Sequence, residues 1–172
     1  MIQTLTTPSS DNSFGSSTTL PPNIPQLSGV RAHSPTHYIL AQRPARGSFA
    51  TTGLCLKLKE LYFGCTTANI QGTVNIPFSC LLTLTSFDGN GDLNGEQQVT
   101  FKPNNKVMAD MMKVTSTLPP ARVVQANATI LRKEGDVLGP VGTFISALLV
   151  DDVSYIQYDD DAAGRHACGG GF

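Results

Sequence analysis

Apolar residues are densest late in this chain, and that cluster predicts the central element. Phe144-Ile145-Ser146-Ala147-Leu148-Leu149-Val150 is followed by Asp151-Asp152 and then by Val153, Tyr155, Ile156 and Tyr158. Apolar on both faces, residues 143–159 fit a strand buried between two layers. Shorter, half-apolar segments upstream fit strands that pair beside it or pack over it. Leu54, Leu56 and Leu58 alternate with Cys55, Lys57 and Lys59, which predicts a strand over 54–63 with one wet face, ended by Gly64. A second strand is expected over 74–87, with Leu82 and Leu84 on one face and Leu81, Thr83, Thr85 and Phe87 on the other. Asp88-Gly89-Asn90-Gly91-Asp92 turns the chain, and 97–102 returns with Val99 and Phe101 on one face, the clearest hairpin signal. Residues 123–131 present Val124, Ala126, Ala128 and Ile130 to one side.

Other stretches carry weaker patterns. Met108, Met111 and Met112 within 107–114 fit one helical turn, but the segment is too short for a stable helix. Residues 31–53 are broken by Ser34-Pro35 and Arg43-Pro44, leaving Tyr38, Ile39 and Leu40 as a short edge strand. Residues 1–30 are Ser, Thr, Pro and Asn with few apolar side chains, so too little surface is buried to offset the entropy of ordering. A disordered segment is expected there, and the Asp- and Gly-rich 160–172 reads as a flexible tail. Several short strands without a long amphipathic helix predict an all-β fold, a β-sandwich over 31–159.

Composition narrows the function classes. A chain of 172 residues suffices for one domain with a real core. Net charge is −1 and the basic residues are scattered, so nucleic acid is not an expected partner. No apolar run is long enough for a membrane span. The opening residues lack the charged start and apolar stretch of a secretory signal, which reads as a cytoplasmic chain or as an incomplete start. The four cysteines argue for export instead. Cys65 and Cys80 flank a short segment between strand-like runs, where neighbouring strands bring them together; two buried free thiols are the alternative. Closing a loop of about 15 residues contributes roughly 3 kcal/mol. Cys55, mid-strand, and Cys168, in the tail, are not expected to pair. Asn127-Ala128-Thr129 is an acceptor for N-glycosylation in an exported chain. Together these favour an oxidising compartment.

Candidate chemistry is sparse. Asp151 and Asp152 are adjacent on a strand, so at most one carboxylate faces inward. An inward carboxylate needs a metal, an Arg or backbone N–H partners. Hard oxygen ligands suit calcium; a hydrogen-bonded fold element is the other reading, and general acid–base work is the remotest. Asp88, Asn90 and Asp92 match the first alternate ligands of an EF-hand loop. Leu93 and Val99 stand where that loop needs Gly and Glu, which leaves a hairpin turn. His33 and His37 would pair on a metal only in a helix, and Pro35 between them excludes one. There is neither a G-x-S-x-G elbow nor a Gly-rich loop opening a helix, so an enzyme is not expected. Sugar binding needs flat rings, and the chain has no Trp. Tyr38, Tyr62, Tyr155 and Tyr158 are the rings available; Tyr155 and Tyr158 are the candidate platform, with core or edge positions the equal alternative.

The segments LKLKELYFGC, the apolar strand carrying Cys80, the hairpin TSFDGNGDLNGEQQVTFKP and the closing LLVDDVSYIQY resemble a family of uncharacterised fungal secreted proteins. That family is built on a galactose-binding-like jelly roll, the fold of many carbohydrate-binding modules. The match runs over residues 33–158, including SPTHY before the first strand. The resemblance implies a Cys65–Cys80 disulfide. It also implies a structural calcium held by a last-strand carboxylate, Asp151 or Asp152, with an acidic segment near the domain start. The first 30 residues do not match the acidic, aromatic opening strand of such domains, which implies a truncated or mispredicted start and removes the calcium's expected partner. The implied protein is a secreted, monomeric, non-enzymatic binding module for cell-wall or host polysaccharide. The alternative is a structural or protein-interaction component of the secretome with no small ligand.

Overall fold

Alternation of apolar and polar residues builds eleven strands and one short helix among the described residues. The computed structural model describes residues 29–31, 33, 39–42, 46–69, 76–131 and 144–168. Most of the 1–30 segment, Tyr38, His37, the polar loop 132–142 and the last four residues lie outside that set. The strands are β1 (Val30–Arg31), β2 (Ile39–Gln42), β3 (Arg46–Ala50), β4 (Cys55–Asn69), β5 (Ile76–Pro77), β6 (Cys80–Phe87), β7 (Leu93–Phe101), β8 (Ala109–Asp110), β9 (Met112–Thr115), β10 (Val123–Ile130) and β11 (Phe144–Tyr158). The helix α1 is Ala162–Ala167.

Two antiparallel sheets share one hydrophobic core. The first is ordered β3-β10-β6-β7; the second is ordered β2-β11-β4-β5, with β9 also paired to β4. A small parallel pair, β1 with β8, stands apart. The apolar run expected to organise the chain does so: β11 pairs with β4 along most of its length and with β2 on its other side. Leu148, Leu149 and Val150 are all fully buried, as a strand covered on both faces requires. In the other sheet β6 alternates strictly, with Cys80, Leu82, Leu84 and Ser86 inward. The β6–β7 hairpin turns at Asp88, whose Oδ1 accepts the N–H groups of Asn90 and Asp92 at 2.9 Å. One oxygen of that carboxylate is engaged by its own turn, as the hairpin reading expects. The exposed edge of β7 is covered by the segment after β9: Asn94 donates to the Pro120 carbonyl, and Gln97 bonds both Thr115 and Thr117. Such contacts shield part of an edge that would otherwise be open to pairing with another chain.

Several expectations need correction. Gly64 does not end the first strand, which runs on to Asn69. The strand expected over 74–87 is two: β5 belongs to one sheet and β6 to the other, with Phe78-Ser79 making the crossing. The ambiguous 107–114 segment, too short for a stable helix, resolves into β8 and the start of β9, and β9 completes its hydrogen bonds on β4. β3 lay in a stretch with no clear period. The tail holds α1, capped by Asp161, whose Oδ1 accepts the Gly164 N–H at 2.6 Å. A helix of six residues is marginal alone, and its hold on the domain is covalent.

Both disulfides start from β4. Cys65 bonds Cys80, and Cys55 bonds Cys168, the pair for which no bond was expected. Cys65 and Cys80 lie inside the shared core, joining the two sheets, whereas Cys55 and Cys168 are buried outside it. In an unbroken strand Cys55 and Cys65 would leave by the same face. They part because the alternation inverts between Lys59 and Glu60. Leu56 and Leu58 are buried before that point, Leu61 and Phe63 after it. Ser154 is opposite Glu60 while Tyr155 is opposite Leu58, so Lys59 is an extra residue, a β-bulge.

Candidate functional site

The compensating irregularity lies in β11 and creates the most distinctive surface of the molecule. Asp151 pairs with Tyr62 and Ser154 with Glu60, so β11 also carries one residue too many. Asp152 absorbs it with a positive φ of 45°, alone in this among the described non-glycine residues. Asp tolerates this left-handed region better than most side chains, because it is short and polar. Asp151 is 5% exposed, and its Oδ1 accepts the Asp152 N–H at 2.8 Å. The Asp152 side chain points out, 43% exposed, and its Oδ2 lies 2.6 Å from His33 Nδ1. One carboxylate in and one out is the arrangement that adjacent strand positions allow.

His33 reaches this point because β1 crosses beside β4 at Gly64. A Cβ built there would stand 2.5 Å from a methyl of Val30, so only glycine leaves room for the crossing. The next residues along bring the His33 imidazole flat onto the Tyr62 ring, centroids 3.6 Å apart and planes 16° from parallel. Lys113, opposite Tyr62 on β9, places its Nζ 6.0 Å from the same ring and 2.7 Å from Glu60 Oε2. The hydrogen bond that Lys113 donates to Glu60 holds its ammonium above the ordinary lysine value of 10.5, with slight burial acting the other way. A raised value means that the lysine's share of the pair is full at neutral pH and fades as pH climbs through that raised value. The patch therefore combines two stacked rings, a carboxylate, an ammonium and a second carboxylate, all partly exposed.

The expected site residues are distributed differently. Tyr155 and Tyr158 do not form one platform. Regular pairing of 155–158 with 55–58 sends them to opposite faces of β11. Tyr155 is half-buried against the core, beside the Leu58 position. Tyr158 is opposite Cys55, on the side of the strand that α1 approaches. For calcium, both Asp151 and Asp152 carry the hydrogen bonds described above. Among the described residues no group of three or more His, Cys, Asp or Glu side chains gathers as a metal site. Asn127 is exposed on β10.

His33, Glu60 and Lys113 escaped sequence reading. Their convergence depends on two bulges and on β9; the hints in the sequence were Gly64 within an apolar run and the adjacent Lys59 and Glu60, where the alternation of β4 changes phase. Replacing Asp152 by Val should cost about 1–2 kcal/mol, because a β-branched residue resists a positive φ. Asp152→Asn should cost much less, and urea titration of the two variants measures the difference.

Comparison with known proteins gives little. No family model matches the chain, and no curated protein matches it. Two solved chains match. One is a DUF4465 family protein from Bacteroides caccae, 18% identical, covering 77% of this chain and 68% of its own, with a TM-score of 0.47.

Proposed function

We propose that this chain is a non-catalytic extracellular binding module of galactose-binding-like jelly-roll type, with cell-wall or host glycans as its ligand class. Two disulfides support an oxidising environment. The observation that carries the ligand class is the half-exposed stack of His33 on Tyr62, bordered by Asp152, Glu60 and Lys113. A flat ring accepts the apolar C–H face of a sugar, and carboxylate and ammonium groups at its margin bond the hydroxyls. The ring pair replaces Tyr155 and Tyr158 as the candidate platform. The charged groups of the patch are engaged with one another as ion pairs around the stacked rings, an arrangement suited to binding. The resemblance of the β4, β6–β7 and β11 segments to the fungal secreted family supports the same reading.

The test is retention on insoluble glucan, chitin and mannan. Wild type should bind at least one of them. Tyr62→Ala and His33→Ala should each weaken retention about tenfold, the effect of ~1.4 kcal/mol, with unchanged far-UV circular dichroism and urea midpoint. Absence of wild-type retention on all three would remove the glycan reading and leave a structural or protein-interaction component of the secretome.

A further inference from the structure

We infer that Asn127 carries an N-linked oligosaccharide, and that the outer face of the β3-β10-β6-β7 sheet is a glycan-covered face. Asn127-Ala128-Thr129 is the chain's sole Asn-x-Ser/Thr sequence without proline at its centre. Any N-glycan of this protein is therefore assigned to one residue. The structure supplies what the triplet alone lacks. Val124 and Ala126 face the core, so Gln125, Asn127 and Thr129 project from the opposite face of β10. Asn127 and Thr129 are both exposed, on the same side of the strand.

The surroundings suit a bulky polar substituent. β10 is an inner strand, and the row crossing it is Arg46, Asn127, Thr83 and Gln98. The next row is Ser48, Gln125, Thr85 and Glu96, with Gln98 donating to Glu96 at 2.9 Å. Hydroxyl and amide groups dominate both rows, so a sugar laid there chiefly displaces water; the row through Thr129 adds one apolar side chain, Leu81, between it and Thr100. Chain order also permits the reaction. Asn127 precedes Cys168, so it leaves the ribosome before the Cys55–Cys168 bond can close the domain around it. While the chain is still open, the side-chain nitrogen attacks C1 of an oligosaccharide carried on a lipid pyrophosphate. The N–C bond forms, the C1–O bond breaks, the pyrophosphate leaves, and the amide loses one proton to the transferase's base. The glycan then stands on the sheet that does not contain Tyr62.

The experiment is secretion of the full chain from a eukaryotic host, followed by peptide mass analysis over residue 127. The expected result is a hexose- and N-acetylhexosamine-bearing peptide that peptide-N-glycosidase converts to the deamidated form, with one discrete step in gel mobility. N127Q and T129A should lose the step, and T129S should keep it. An unmodified Asn127 peptide from wild type overturns the inference, whatever the variants do. A mobility step that survives in N127Q places the sugar elsewhere and overturns it as well.

Discussion

Deleting Lys59 should abolish cooperative folding, whereas Lys59→Ala should shift stability by no more than about 0.5 kcal/mol. The side chain of Lys59 is exposed and makes little difference; its presence as a residue makes all of it. Without the extra position, one half of β4 must rotate relative to the other. Either Leu56 and Leu58 or Leu61, Phe63 and Cys65 then leave the core, since a one-residue slip exchanges the faces of a strand. Leu56, Leu58, Leu61 and Phe63 are each 2% exposed or less. Burying one such side chain is worth about 1.5–3 kcal/mol, so losing two or three of them approaches the whole stability of an ordinary domain, about 5–15 kcal/mol. Urea titration followed by circular dichroism reads the outcome. A deletion variant that still unfolds cooperatively, with Cys65 and Cys80 still bonded, would show that the inversion has some other origin.

Removing the second crosslink should be nearly as costly. Alanine at both Cys55 and Cys168 should lower unfolding free energy by about 4–5 kcal/mol, the chain-entropy value for a loop near 100 residues. Here the separation is 113 residues. Because α1 is too short to persist alone, the same variant should expose 160–172 to proteases well before the rest of the domain. Alanine at Cys65 and Cys80 opens a loop of only 15 residues, and the entropic share lost is about 3 kcal/mol. That variant also loses packing inside the core. A Cys55→Ala/Cys168→Ala protein within about 1 kcal/mol of wild type would mean the C-terminal segment is not part of the cooperative unit.

The disulfides also show how far local pattern carries. Cys65 and Cys80 were within reach because each sits in or beside an apolar strand, and few residues separate them. Cys168 was not, since Gly and Asp around it predict no order and only its distant partner supplies any. The same contrast holds at the candidate site. Asp151 and Asp152 attracted notice as adjacent charges in an apolar run, and one proved inward and one outward. His33 looked like an isolated surface histidine. Its contacts with Tyr62 and Asp152 join residues 29 and 119 positions away in sequence, a separation over which no periodic signal survives.

Sequence alone determined the all-β class, the late apolar strand with Leu148, Leu149 and Val150 buried, the alternation of β6 and β10, and the turn at Asp88. All of these follow from the period of side chains along one strand, which each segment carries within itself. Tertiary structure decided the rest: where β4 inverts, which sheet β5 joins, how Cys55 meets Cys168, and that Tyr62, not Tyr155, stands beside an exposed carboxylate. The β4 bulge leaves two adjacent polar residues, Lys59 and Glu60, in the sequence, but only a partner strand against which to count distinguishes an extra residue from the end of the strand.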